Sequence, residues 1–253
     1  TFPVIDDQLY AVILHFKEPT YAQTGQRRTH IAIDNFRRYS SFDIYTSTRQ
    51  KNKLHVEKFV VRADGTSLAV RVGRYSSAHQ PLLNGIEVLP IDEMPSWLPN
   101  EVRVNLQEGT ARKTDPVTSL VWECDRGFKQ VDQFVYSTTS AIDNTTFDIL
   151  YQSGRRHTNT FGIYEYLPPG NYTVRLKLAE TVYNNAGSRV FSVVNKSVDP
   201  PVVLASAVDI VALSGARYTA LDLDYEIEVP SGLAHISLEN VTGGVAIAGF
   251  ENA

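Results

Sequence analysis

Cysteine is almost missing from this chain. The single Cys124 in 253 residues excludes a disulfide within the chain and any cysteine-rich zinc site; it reads as a small buried apolar residue or as a partner for a thiol outside these residues. Positive charge is not concentrated either. Twenty-four Lys and Arg stand against 28 Asp and Glu, a formal net charge of −4, whereas nucleic-acid binders usually carry a concentrated basic field, so no nucleic acid is expected as a partner. Acids separate the pairs Arg27-Arg28, Arg37-Arg38 and Arg155-Arg156, which therefore read as solvated surface. Long apolar runs are lacking as well. No stretch approaches the 18 or so apolar residues of a membrane helix, and Thr1 to Gln8 does not have the make-up of a signal peptide, so membrane attachment is expected only through a segment outside this chain. Helical periodicity is nowhere convincing.

What the chain does have is a repeat. Leu9 to Asp34 returns at Asn171 to Lys196, 162 positions later, with matches at Tyr10/Tyr172, Val12/Val174, Leu14/Leu176, Glu18/Glu180, Tyr21/Tyr183, Gly25/Gly187 and Arg27/Arg189. After a small change of offset Phe42-Asp43-Ile44 faces Val208-Asp209-Ile210, and Gly85-Ile86-Glu87 faces Gly249-Phe250-Glu251. Self-similarity over that length means two copies of one structural unit. The second copy has a long stretch ahead of its repeat segment and the first has only Thr1 to Gln8, so the first unit is expected to lack its N-terminal strands. Thr1 is not an initiator methionine, and the chain reads as a processed product or a part of something longer.

Short runs rich in aromatic and β-branched residues, punctuated by turn residues, read as strands. In the first copy they are Leu9 to Phe16, Arg28 to Ile33, Phe42 to Tyr45, Leu54 to Val61, Ser67 to Val72 and Leu83 to Leu89. In the second they are Leu120 to Glu123, Phe147 to Gln152, Phe161 to Leu167, Asn171 to Ala179, Arg189 to Val194, Val202 to Leu213, Ala220 to Val229, Ala234 to Leu238 and Val245 to Phe250. The turn Asp125-Arg126-Gly127 falls early in this set. Pro90, Pro95 and Pro99 break regular pairing between the copies. The expected fold is all-β, two tandem jelly-roll-like β-sandwiches, with a first domain over residues 1–90, a linker over 91–116 and a second domain over 117–253.

Catalytic signatures are wanting. There is no nucleophile elbow, no phosphate-binding glycine loop and no histidine pair at metal spacing. Glycosidases set two carboxylates within about 10 Å, whereas Glu18 and Glu180 recur one per unit. No enzyme, cofactor or metal is expected. Four N-x-[ST] sequons, at Asn144, Asn171, Asn195 and Asn240, all fall in the second unit and read as glycosylation sites of an extracellular or secretory-lumen chain, with a cytoplasmic appended domain as the alternative.

Leu150 to Asn195, LYQSGRRHTNTFGIYEYLPPGNYTVRLKLAETVYNNAGSRVFSVVN, resembles the central segment of malectin and malectin-like domains, with their LYQT-R strand, G-Y-x-V-x-L-x-F-A-E strand, aromatic loop and G-x-R-x-F-x-V strand. Leu82 to Val88, LLNGIEV, is similar to the closing strand of the plant receptor-kinase version. The resemblance implies a β-sandwich that recognises carbohydrate or protein and does not imply catalysis. The family's sugar site lies in loops at one end of the sandwich, where an aromatic plane stacks on the apolar face of a sugar ring and oriented polar groups meet its hydroxyls. Carried over, Tyr183 and Tyr21 match a family aromatic, Val182 and Thr20 replace its neighbouring tyrosine, and Arg156 stands where a further tyrosine would be. The candidate ligand-binding residues are therefore Tyr183, Arg156, Tyr21, Glu180 and Glu18, and the partner is a glycan or a protein or peptide ligand. Each has a plainer reading. The tyrosines could cover the core under a loop, the glutamates could hold backbone N–H groups of that loop, and Arg156 with His157 could sit in a solvated loop.

Overall fold

A computed structural model describes residues 1–34, 36–78, 80–107, 112–124, 126–129 and 134–252. Asp125 of the expected turn and part of the expected linker lie outside them, as does the side chain of Cys124. Among the described residues no helix is long and apolar enough to cross a membrane. The chain forms two compact units, Thr1–Ser96 and Trp97–Ala253, and both are built from strands.

The first unit runs β1 (Phe2–Pro3), β2 (Leu9–Lys17), β3 (Thr29–Ile33), β4 (Phe36–Phe42), helix α1 (Ile44–Thr48), β5 (Leu54–Arg62), β6 (Ser67–Leu68), β7 (Val70–Arg74) and β8 (Gly85–Ile91). The order β5-β2-β8 makes one sheet, β4-β3-β7 another, and β1 pairs with β6. Both sheets turn alternate side chains inward. Val12, Leu14 and Phe16 of β2 are fully buried, as are Ile31 and Ile33 of β3. Phe16 meets Phe42 with ring centroids 4.8 Å apart, so the layers touch through large apolar groups, each stabilising the unit by about 1.5–3 kcal/mol on burial.

The second unit runs β9 (Val102–Asn105), β10 (Lys113–Thr114), β11 (Val121–Cys124), β12 (Phe128–Lys129), β13 (Phe134–Ser137), helix α2 (Asp148–Tyr151), β14 (Ser153–His157), β15 (Thr160–Tyr166), β16 (Gly170–Ala179), β17 (Val190–Asn195), β18 (Val202–Val208), helix α3 (Ile210–Ser214), β19 (Ala220–Val229), β20 (Leu233–Thr242), β21 (Val245–Ile247) and β22 (Gly249–Asn252). Six strands form the sheet β10-β11-β9-β22-β16-β19, and β18-β17-β20-β15-β12 face it across a core of Leu176, Leu178, Phe161, Phe191, Val193 and Leu238, none more than 1% exposed. A small sheet, β13-β14-β21, closes one side. On β19 the pattern ALDLDYEIEV alternates strictly, with exposed Asp222, Asp224, Glu226 and Glu228 between inward apolar residues.

The duplication holds at the level of register. Gly85 sits opposite His15 as Gly249 sits opposite Lys177, which makes β8 the counterpart of β22 and β2 that of β16. Leu54 opposes Lys17 as Ala220 opposes Ala179, and Thr29 opposes Phe42 as Phe191 opposes Val208.

The structure corrects four expectations. Val102–Asn105, inside the expected linker, is strand β9 of the second unit, and Val102, Val104 and Leu106 are core residues. Phe147 to Gln152 is helical rather than extended, with the Asp148 carboxylate accepting the Ile142 N–H at 3.0 Å. The repeated Asp43 and Asp209 end extended segments and cap helices instead, each accepting from the third residue on, Thr46 N or Ala212 N, at 3.1 Å, the usual work of an N-cap carboxylate. Arg37, Arg38 and Arg155 are buried, not solvated. The Arg38 guanidinium lies 5.7 Å from the Phe36 ring and 6.0 Å from that of Phe59, and that of Arg155 lies 5.0 Å from the ring of Phe128, so stem and head both find aromatic cover.

Candidate functional site

The loop after β16 shows how the repeated residues work together. β16 delivers Glu180 into the interior, 1% exposed. Its Oε1 accepts the N–H groups of Val182 at 2.7 Å and Tyr183 at 3.1 Å, while Oε2 accepts Arg189 Nε at 2.6 Å. The Arg189 guanidinium then lies 5.1 Å from the Tyr183 ring centroid and donates to the Gly243 carbonyl at 3.0 Å. At the far end Gly187, at φ +81°, turns its N–H onto the Asp209 carboxylate. One acid thus anchors each end of the loop.

The first unit repeats this with different neighbours. Glu18, also 1% exposed, accepts from Thr20 N at 2.8 Å, Tyr21 N at 2.9 Å and Arg27 Nε at 2.6 Å. Arg27 lies 4.9 Å from the Tyr21 ring, and Gly25 N donates to Asp43 at 2.5 Å. Burial pushes the Glu18 carboxyl up, but the bonds from Arg27 and from the Tyr21 and Thr20 amides outweigh it and hold the group below its ordinary value. The oxygens of Glu18 and Glu180, both expected at a ligand site, are thus engaged by the loop's own amides and arginine. Arg27 and Arg189, matched in the repeat but not singled out as working residues, are the groups that make the arrangement possible. Their signal was the Glu-to-Arg spacing of nine, identical in both copies.

Above this loop in the second unit lies a cavity of about 510 Å³. Phe134, Val182 and Tyr183 give it apolar surface, Thr158, Asn240 and the His157 ring neutral polar groups, and Arg156 and the ion-paired Arg189 its cations. Arg156, on β14, stands 5.9 Å from the Phe134 ring, with no carboxylate in ion-pair distance among the described residues. His157 Nδ1 accepts the Asn159 N–H at 3.0 Å, which leaves Nε2 to carry the proton of the neutral ring. The floor is backbone at Gly243 and Gly244, both at positive φ. A Cβ at Gly243 would collide with the Ser188 carbonyl oxygen, and one at Gly244 would stand 2.6 Å from that of His157, so glycine is what lets the β20–β21 turn close over the loop. Tyr183 and Arg156 are brought together here. Tyr21 belongs to the other unit, and its loop packs in the same way.

Of the four sequons, Asn171 and Asn240 are exposed, Asn240 at the cavity rim with its oxygen accepting Gly244 N at 2.8 Å. Asn144 is exposed and donates to the Ala220 carbonyl at 3.2 Å. Asn195 is only 3% exposed, its amide oxygen accepting the Ser197 N–H and its amide nitrogen donating to the Glu228 carbonyl. Among the described residues no group of three His, Cys, Asp or Glu could hold a metal ion.

Comparison with known proteins gives a consistent picture. The family profile described as "Malectin domain" matches residues 1–86 and 102–253. No curated protein matches. Among solved structures, the ANXUR1 extracellular domain from Arabidopsis thaliana is similar with TM-score 0.51 at 15% identity, over 99% of this chain and 79% of that one. A complex of the plant peptide RALF23 with FER and LLG2 gives TM-score 0.50 at 16% identity over the same shares. A β-glucuronidase from Bacteroides uniformis gives 0.52 at 16%, over 89% of this chain but only 25% of the enzyme. At these identities the likeness is one of fold.

Proposed function

The chain belongs to the malectin domain family, and from that premise we propose that it is a non-catalytic recognition module, acting outside the cell or in the secretory lumen, whose second sandwich binds carbohydrate in the cavity beside Tyr183. The observation that carries this reading is the cavity's composition. Aromatic planes at Phe134 and Tyr183 suit the C–H face of a sugar, Thr158, Asn240 and the His157 ring N–H suit its hydroxyls, and Arg156 favours a saccharide bearing a carboxylate. Calorimetric titration of the chain with a neutral glucose disaccharide and with a glucuronate oligosaccharide tests it. The acidic sugar is expected to bind more tightly, and Tyr183→Ala or Arg156→Ala to weaken it at least tenfold while Tyr21→Ala does not. No saccharide binding by the chain, or variants indistinguishable from it, would overturn the reading.

A second reading, protein or peptide docking, is favoured by one feature: Arg189 covers one face of Tyr183, which leaves less aromatic surface for stacking, while Arg156 stays available to an acidic peptide. The similarity to a receptor solved with the peptide RALF23 supports it at the level of fold. Binding of an acidic peptide that saccharide does not displace would select this reading.

A further inference from the structure

The end of β20 carries the sequon Asn240-Val241-Thr242, and its acceptor residue is also part of the cavity wall. Asn240 is exposed, yet it is held from several sides. Its backbone N–H donates to the Asn159 carbonyl at 2.8 Å, and across the ladder it opposes Phe191 of the core. Its side-chain oxygen accepts the N–H of Gly244, one of the two floor glycines, at 2.8 Å. A side-chain amide is planar, so an oxygen pinned to the floor also fixes the nitrogen beside it at the mouth. Among the described residues no acceptor takes that nitrogen, and it is the atom to which a glycan is joined.

The same mouth shows bare apolar surface. Phe134 is 52% exposed and Val182 42%, and both line the cavity. Exposed apolar side chains gathered beside a cleft mark a surface that something covers, and the C–H face of a sugar ring suits an aromatic plane. The other exposed sequons have no such setting. Asn171, at the start of β16, and Asn144 are not among the residues that line the cavity.

We propose that N-glycosylation of Asn240 closes this cavity: the first sugar of the attached glycan lays its C–H face over Phe134 and Val182 and fills the mouth through which a soluble ligand enters. The proposal rests on the reading of the cavity as a ligand site. Its test compares the chain secreted from a eukaryotic host with Thr242→Ala, which removes the sequon at an exposed position and leaves Asn240 in place. Peptide mass spectrometry is expected to find glycan on Asn240 of the first and none on the second. In calorimetric titration Thr242→Ala is expected to bind a glucuronate oligosaccharide at least tenfold more tightly than the glycosylated chain, whereas Asn171→Gln binds like that chain. A second readout needs no ligand. Carbethoxylation of the half-buried, cavity-lining His157 by diethyl pyrocarbonate, followed by mass spectrometry, is expected to run at least fivefold faster in Thr242→Ala, with the rate at His15 unchanged. An Asn240 without glycan in the secreted chain, equal His157 rates in the two forms, or equal measurable saccharide affinities would each overturn the proposal. Slower His157 modification in the glycosylated chain, with saccharide bound by neither form, would uphold the closure and remove the saccharide reading instead.

Discussion

Glu180 and Arg189 are the pair on which the loop after β16 depends, at 1% and 5% exposure and 2.6 Å apart. A buried ion pair contributes little net stability, but removing one partner leaves a charge with neither water nor counter-ion. Arg189→Met is accordingly expected to lower unfolding free energy by about 3–5 kcal/mol in denaturant titration. Glu180→Gln combined with Arg189→Met should cost less than the two singles added, because the groups touch. Glu18 supplies a pH test. Its carboxyl is held below the ordinary 4.5, so its stabilising contribution is complete above the unfolded-state value and disappears as pH falls through the lower folded value. Melting temperature followed from pH 6 to 3 should therefore fall more steeply below about 4.5 for the native chain than for Glu18→Gln. The repeat made these residues legible as important. It did not show their task, because matching positions say nothing about which two side chains meet across a nine-residue loop.

At the scale of elements, one aspartate does two jobs in each unit. Asp209 caps α3 through one oxygen and tethers Gly187 through the other, and Asp43 does the same for α1 and Gly25. Asp209→Ala is expected to cost about 1–2 kcal/mol from the cap alone, measured by chemical denaturation, and Asp43→Ala should behave alike. Strands with clean alternation, such as Asn171 to Ala179 and Ala220 to Val229, were readable from the sequence because their period matches the pleat. The helices were not, since five residues of α1 or α3 are too few to display a helical period. β9 escaped notice because Pro90, Pro95 and Pro99 lie just ahead of it, and its VRVN is too short to outweigh them.

For the molecule as a whole, the all-β class and the duplication were written in the order of the motifs, whereas the cavity was not. Phe134, Thr158, Gly243 and Gly244 come from separate strands and turns, and only the pairing of β14 with β13 and β21 gathers them. Exposure sorts the sequons. Expression in a secreting eukaryotic host, followed by peptide mass spectrometry, should find glycan on the exposed Asn144, Asn171 and Asn240 and none on Asn195, whose amide is buried; an occupied Asn195 would contradict the packing described.

The alternation along β19 has one more consequence. This strand borders the six-stranded sheet, and every second residue from Asp222 to Glu228 is an acid, only some of them matched by Arg175, Lys177 or Thr173 on the neighbouring strand. Another molecule sliding up to that margin would bring carboxylates against carboxylates. The same ten residues that seal the interior with leucine, tyrosine and isoleucine thus keep stacking into fibrils at bay, a safeguard against aggregation placed where the backbone would otherwise invite it.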